Sequence, residues 1–311
     1  MHQPLPIGRR SFLQQAVRCG FAWGGATLAL GPTRARAIGP IKRNGRQHFK
    51  LSLAAYSFRD ELTGKQGKGI TLDDFVRLCA DYDLDGTELT SYYFPKEFDN
   101  AYLQHLKQLT FRLGLDISGT AIANDFCLPE GDARAQSLAH TRRWIDHAAT
   151  LGAPVIRIFA GNVPAGDTEA ACISRCVAGI DEVLEHAAQK GVCLALENHG
   201  GITTRPEQML QIVKQVRESP WFGVNFDGGN FRSADPYADL AQIAPYALNV
   251  QIKTDIFRND KREDTDLERV IAILKSAGYR GYIVLEYESA EDPRTAVPKH
   301  LQTLRKLISR A

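Results

Sequence analysis

The 311-residue sequence lacks most of the features that mark specialised protein classes. Its six cysteines form no Cys-x-x-Cys pair, and no apolar run approaches the roughly 20 residues that a membrane-spanning helix needs. It contains no internal repeat and no low-complexity segment. The cysteines lie in apolar or helical patterns, which indicates small buried side chains, and a single disulfide in an oxidising compartment cannot be assigned from their spacing. These absences leave an ordinary globular protein as the expected class.

Acidic residues are absent from the first 37 positions, which carry five basic residues. Residues 8–14, Gly-Arg-Arg-Ser-Phe-Leu-Gln, resemble the twin-arginine export signal. The apolar residues 21–30 fit its hydrophobic region, and Ala-Arg-Ala at 35–37 fits the cleavage rule. We therefore predict a signal peptide over residues 1–37, the twin-arginine translocase as export partner, and a periplasmic or secreted protein. A membrane anchor is the weaker alternative, because the apolar run is too short.

The remaining chain has no excess of positive charge. Without those five basic residues it contains 33 basic and 36 acidic residues, a net charge of −3. This balance argues against nucleic acid and anionic membrane surfaces as partners. A hydrophobic content of 44% allows a sizeable core. A homo-oligomer is compatible with the sequence.

Residues 38–49 are basic and aperiodic, which indicates a linker, and residues 50–311 alternate short apolar strands with amphipathic helices. The predicted strands are Leu51–Ser57, Gly86–Thr90, Asp116–Ile122, Pro154–Ala160, Val192–Glu197, Phe222–Asp227, Leu248–Lys253 and Tyr282–Glu286. Eight such repeats in one domain predict an α/β fold, a (β/α)₈ TIM barrel. A doubly wound open sheet is disfavoured, since no Gly-rich phosphate loop follows the first strand.

Coordinating side chains end the last four predicted strands. Glu197 ends strand five, Asp227 ends strand six and Glu286 ends strand eight. In strand seven the apolar residues alternate with Gln251, so Gln251 faces the barrel interior. Because the active site of such a barrel lies at the C-terminal ends of its strands, these four side chains are expected to converge.

Three carboxylates at one point would repel one another unless a cation lies among them. One explanation is a single divalent metal held by all four side chains. Their oxygen donors favour Mn²⁺ or Mg²⁺, with Co²⁺ and Zn²⁺ as further alternatives. The other explanation is that the carboxylates form ion pairs with Arg157 and Lys253, or lie in surface loops.

Residues 50–311 resemble the xylose isomerase-like TIM-barrel superfamily, which includes sugar phosphate isomerases and epimerases, ketose 3-epimerases, inosose dehydratases and family-2 AP endonucleases. Glu197, Asp227 and Glu286 carry the resemblance. Members similar to the epimerases bind one divalent metal through Glu, Asp, His and Glu at the ends of strands five to eight. The resemblance therefore implies a metal at this site.

Two positions depart from the epimerase pattern. Gln251 stands where a ligating His is expected, and its amide oxygen implies weaker metal binding. Asn230 stands where the epimerases have a substrate-binding His, three residues after the Asp. Both departures weaken a direct assignment as a ketose 3-epimerase.

Other side chains are expected around the same point. His199 shares a strand face with Glu197 and is a candidate general base or substrate ligand. Lys253 could stabilise an oxyanion. Arg157 is expected to bind substrate oxygens or to pair with Glu88, itself a candidate substrate contact, and Tyr56 offers an aromatic face to a sugar.

These residues predict an enzyme that abstracts a proton next to the carbonyl of a keto-sugar or related polyol. Glu197 and Glu286 would exchange the proton, which gives isomerisation or epimerisation. A metal-dependent lyase acting on 3-keto-glycosides shares the first half-reaction and is the main alternative. A non-catalytic sugar-binding barrel is another. An AP endonuclease is disfavoured, since it needs a histidine-rich zinc cluster and the chain has eight histidines in all.

Overall fold

The computed structural model describes residues 38–65, 67 and 69–309. The predicted signal peptide, residues 1–37, lies outside the described residues. Among the described residues, no helix is both long enough and apolar enough to cross a membrane.

Eight parallel strands close into a barrel, which confirms the predicted (β/α)₈ fold. The described residues contain ten strands in all: β1 (Phe49–Ala54), β2 (Gly86–Thr90), β3 (Asp116–Ala121), β4 (Val155–Ile158), β5 (Cys193–Glu197), β6 (Phe222–Asp227), β7 (Ala247–Ile252), β8 (Asp255–Arg258), β9 (Lys261–Asp264) and β10 (Gly281–Leu285). Around the barrel their order is β1-β10-β7-β6-β5-β4-β3-β2, and β8 and β9 form a separate antiparallel hairpin.

Helices follow the barrel strands and cover the outside. They are α1 (Arg59–Leu62), α2 (Leu72–Asp81), α3 (Asn100–Arg112), α4 (Asp132–Leu151), α5 (Glu169–Lys190), α6 (Pro206–Val213), α7 (Pro236–Ile243), α8 (Leu267–Ser276) and α9 (Pro293–Ser309). Thr71 caps the start of α2, because its Oγ1 accepts a hydrogen bond from the Asp74 amide at 3.2 Å. Gly152 ends α4 in the left-handed conformation.

The core lies between the strands and the surrounding helices. Leu194, Leu196, Val224 and Phe226 face outward from the barrel and are completely buried. Their alternation with polar residues sends every second side chain into the barrel instead, as the period of a strand requires. The barrel interior is consequently polar.

Four side chains form a hydrogen-bonded layer inside the barrel. Gln251 Nε2 donates to Glu88 Oε1 at 2.7 Å, and Asn249 Nδ2 lies 3.1 Å from Glu88 Oε2 and 2.9 Å from Asn225 Oδ1. Asn225 Nδ2 donates to Gln251 Oε1 at 2.6 Å. All four side chains are buried. The layer forms the floor beneath the mouth of the barrel.

Part of the predicted linker contacts the barrel. Ile38 is buried, the Ile41 amide donates to the Pro245 carbonyl at 2.9 Å, and Arg43 donates to the Ala247 carbonyl at 2.5 Å. These contacts lie at the start of β7. The basic composition of residues 38–49 gave no sign of these contacts. The guanidinium of Arg43, for example, packs over the ring of Tyr279.

The hydrogen bonds of the interior layer should contribute to the stability of the fold. Glu88→Ala should lower the free energy of unfolding by about 2 kcal/mol or more, because buried amide donors of Asn249 and Gln251 lose their acceptor. Urea denaturation measures the loss. The control Glu182→Ala removes an exposed pair with Arg142 and should cost less than about 1 kcal/mol. Equal losses in both variants would contradict the layer's contribution.

Candidate active site

A cavity of about 190 Å³ opens at the C-terminal ends of the barrel strands. Its lining residues are Tyr56, Tyr92, Arg157, Phe159, Glu197, His199, Lys253, Glu286 and Glu288. Six of the residues selected from the sequence are among them: Tyr56, Arg157, Glu197, His199, Lys253 and Glu286. This is the end of the barrel where TIM-barrel active sites lie.

Glu197 and Arg157 form a buried ion pair at one side of the cavity. Arg157 Nε lies 2.7 Å from Glu197 Oε2, with both side chains at most 5% exposed. The guanidinium also donates to the Ile122 carbonyl at 2.7 Å and to the Tyr92 hydroxyl at 3.2 Å, and it lies 3.9 Å from the ring centre of Phe159. Arg157 therefore pairs with Glu197 and not with Glu88, the partner considered from the sequence.

Burial raises the pKa of the Glu197 carboxyl to about 7, against the opposing effect of the Arg157 cation. The nearby Glu286 carboxyl contributes to the same rise. Burial likewise raises the pKa of Glu286 to about 8, although the Lys253 ammonium opposes the shift. Two carboxyl groups that change protonation near neutral pH therefore line one cavity.

Lys253 follows β7 and extends among the acids of the neighbouring strands. Its Nζ lies 3.2 Å from Asp227 Oδ2, 3.5 Å from Glu286 Oε2 and 3.1 Å from Glu288 Oε1. Burial alone would lower the pKa of Lys253, but these three carboxylates raise it well above its ordinary value. Lys253 is thus a fixed cation.

Asn230 connects the two charged groups of the site. Its Nδ2 donates to Glu197 Oε1 at 3.0 Å, and its Oδ1 accepts from Lys253 Nζ at 3.1 Å. The sequence placed Asn230 at a substrate contact, and the structure puts it beside the cavity as a bridge between an acid and a base. Asp227 lies below it, with Oδ1 accepting from the Gly229 amide at 2.9 Å.

The turn after β5 holds His199 at the cavity rim. Thr203 Oγ1 donates to the Glu197 carbonyl at 3.1 Å and accepts from the His199 amide at 3.0 Å. Gly201 has a φ of +53°, and a Cβ there would meet the Gly161 carbonyl oxygen at 2.1 Å. Partial burial, with the Lys253 and Arg157 cations, lowers the pKa of His199 to about 4, so its imidazole is neutral at pH 7.

Aromatic rings form the remaining wall. Tyr56 and Tyr92 pack edge to face with ring centres 6.4 Å apart, and His199 lies over Phe159 with centres 4.2 Å apart. Phe159 was not selected from the sequence, although it lies two residues after Arg157 and shares its strand face. Glu288 was also not selected from the sequence, although it lies two residues after Glu286, a spacing that could have indicated it.

Glu88 and Gln251 lie elsewhere. Both belong to the interior layer and are absent from the cavity lining. The predicted contact of Glu88 with substrate is therefore not supported by its position. The Gln251 amide oxygen, the predicted metal donor, accepts a hydrogen bond from Asn225 instead.

The residues present do not fit the predicted divalent metal. Asp227 and Glu286 contact the Lys253 ammonium, Glu197 contacts the Arg157 guanidinium, and the Gln251 oxygen is engaged in the floor. Within residues 38–65, 67 and 69–309, no three His, Cys, Asp or Glu side chains are grouped so as to hold a metal ion. The Mn²⁺ site stays a prediction that this donor arrangement disfavours.

Fold and site together define a TIM barrel with a buried acid–base cluster at the mouth. A family profile described as xylose isomerase-like TIM barrel (AP_endonuc_2) matches residues 76–307. The chain belongs to this family. No protein with a curated description matches the sequence.

Several solved structures share the fold. A xylose isomerase domain protein from Planctomyces limnophilus has 18% sequence identity and a TM-score of 0.64, with 86% of this chain and 100% of that chain covered. A D-psicose 3-epimerase from Clostridium cellulolyticum H10 has 15% identity, a TM-score of 0.65 and coverages of 84% and 94%. A probable 3-DHS dehydratase from Bacillus anthracis has 17% identity, a TM-score of 0.64 and coverages of 82% and 98%. At these identities the likeness concerns the fold.

The buried ion pair of Arg157 and Glu197 should affect the stability of the fold. Arg157→Met should lower the free energy of unfolding by roughly 3–5 kcal/mol, because it leaves the Glu197 carboxyl buried without its cation. The double variant Arg157→Met/Glu197→Leu should recover most of that loss. Urea denaturation at neutral pH measures both. If the double variant is as unstable as the single one, the loss does not arise from an unpaired Glu197.

Proposed function

We propose that this chain is an enzyme that moves a proton at the carbon beside a carbonyl group of a keto-sugar or related polyol. The main support for this proposal is that two buried carboxyl groups, Glu197 and Glu286, line one cavity together with the cations of Arg157 and Lys253. An acid or base works best when its pKa is near the working pH, and burial raises the pKa of both carboxyls toward neutrality. The fold shared with sugar epimerases agrees with this chemistry.

In the proposed reaction, an ionised Glu197 takes the proton from the carbon beside the carbonyl. The electron pair of the broken C–H bond forms a C=C bond, and the carbonyl oxygen becomes an oxyanion. The ammonium of Lys253 and the guanidinium of Arg157, both buried, stabilise that negative charge. Protonated Glu286 then returns a proton to the same carbon from the opposite face, and the oxyanion re-forms the carbonyl, which gives the epimer. For an isomer, the proton goes to the former carbonyl carbon, while the proton of the neighbouring hydroxyl passes to the oxyanion and that neighbouring oxygen becomes the new carbonyl.

Neutral His199 and the aromatic wall serve binding in this proposal. The imidazole can donate one hydrogen bond and accept another at the cavity rim, which suits sugar hydroxyls. Tyr56 and Phe159 offer apolar faces to the C–H edges of a sugar ring. The polar lining of the cavity is the reason we propose a carbohydrate as the substrate class.

A β-elimination is the second candidate, because a further cavity adjoins the first. This second cavity, of about 210 Å³, shares Phe159 and His199 with the first and extends toward Asn124 and Gly161. Together they offer room for a sugar and an attached group, as in a 3-keto-glycoside. After the same proton abstraction, the electron pair would form the C=C bond while the bond to the attached group breaks. The departing oxygen would take a proton from Glu286.

Deuterium exchange tests the common first step. Incubation with ketoses and 3-keto-glycosides in D₂O should place deuterium at the carbon beside the carbonyl, measured by NMR. Glu197→Gln and Glu286→Gln should slow the exchange by roughly a hundredfold or more, because each removes a proton-transfer group. The surface control Glu182→Gln should exchange normally. An absence of exchange with every substrate would favour a non-catalytic sugar-binding barrel.

Product analysis separates the two candidates. An elimination should release the attached group from a 3-keto-glycoside together with an unsaturated ketone, followed by its ultraviolet absorbance. An epimerase should yield only isomers of the starting sugar. Exchange without release of the attached group would reject the lyase.

A further inference from the structure

The ammonium group of Lys253 has oxygen atoms on several sides. Besides its ion pairs with Asp227, Glu286 and Glu288 at 3.1–3.5 Å, it donates a hydrogen bond to Asn230 Oδ1 at 3.1 Å. Asp227 and Glu286 are two of the four residues whose positions predict a metal ligand. A cation of the chain itself therefore lies where these carboxylates converge.

The other two predicted ligands are engaged as well. Glu197 Oε2 lies 2.7 Å from Arg157 Nε. The Gln251 side chain uses its oxygen toward Asn225 and its nitrogen toward Glu88. A metal bound by the predicted set would have to compete with Lys253 and Arg157 for these carboxylates.

The surrounding residues leave space for the side chain of Lys253. The side chain is only 9% exposed. A Cβ on Gly229 would meet Lys253 Cβ at 2.8 Å, Lys253 Cδ at 2.9 Å and the Asp255 carbonyl oxygen at 2.6 Å. A glycine at position 229 thus leaves room for the lysine stem, which any larger residue would push aside.

We propose that Lys253 replaces the divalent metal of this barrel mouth, so that its ammonium is the resident cation against which substrate oxygens bind. The role toward substrate rests on the proposed function. The replacement itself does not, because it concerns which cation the carboxylates hold.

Binding of Mn²⁺ tests the replacement without any activity measurement. The full chain, treated with EDTA and dialysed, is titrated with MnCl₂ while free Mn²⁺ is followed by electron paramagnetic resonance. The wild type should bind no stoichiometric Mn²⁺ at micromolar concentrations, and its melting temperature should be unchanged by the ion. Stoichiometric, tight binding by the wild type that Asp227→Asn abolishes would overturn the proposal.

Removal of the ammonium gives the converse test. Lys253→Ser leaves Asp227, Glu286 and Glu288 without their cation, so this variant should bind Mn²⁺ at least about tenfold more tightly than the wild type. Its melting temperature should rise with the ion. Lys253→Arg retains the charge and should show no gain, and neither should Lys299→Ser, which removes a surface pair with Glu291.

The outcomes are separable. A folded Lys253→Ser that gains no affinity for Mn²⁺ would overturn the proposal, since the acids would then not form a cation site. If Lys253→Ser does not fold, the wild type and Lys253→Arg still decide by their own titrations. Failure of deuterium exchange would reject the proposed reaction and leave these metal-binding results unaffected.

Discussion

The mouth of the barrel depends on two buried cations that hold more acids than they neutralise. Arg157 engages Glu197, while Lys253 engages Asp227, Glu286 and Glu288. Removing charges from water costs several kcal/mol per ion unless partners compensate, so neither cation could lie there without the acids. Burial, with a smaller contribution from the neighbouring acids, raises the pKa of Glu197 and Glu286 to a range in which they can exchange protons near neutral pH.

Much of the fold was predictable from the sequence, because strand periodicity and helix signals are local. The alternation that buries Leu194 and Leu196 necessarily turns Glu197 into the barrel, and the same reasoning located Asp227 and Glu286. The hairpin of β8 and β9 was not predicted. The strand Lys261–Asp264 consists of charged, exposed residues, so no apolar alternation marked it.

The differences between the expected and the observed positions of the site residues have a common physical origin. Alternation specifies the face on which a side chain lies but not its depth along the barrel axis. Gln251 and Lys253 share a face, yet Gln251 belongs to the floor and Lys253 to the mouth. Glu288 lies beyond the end of β10, where strand reasoning stopped, although the spacing from Glu286 continues.

The hydrogen bonds of Gln251 have an evolutionary consequence. Gln251→His would remove the amide group that accepts from Asn225 Nδ2 and donates to Glu88 Oε1. The carboxylates above would still hold Lys253. In the proposed arrangement, conversion to a metal-binding mouth therefore requires substitution of Lys253 as well as Gln251. A chain altered at only one of these two positions would bear the cost of unsatisfied buried groups.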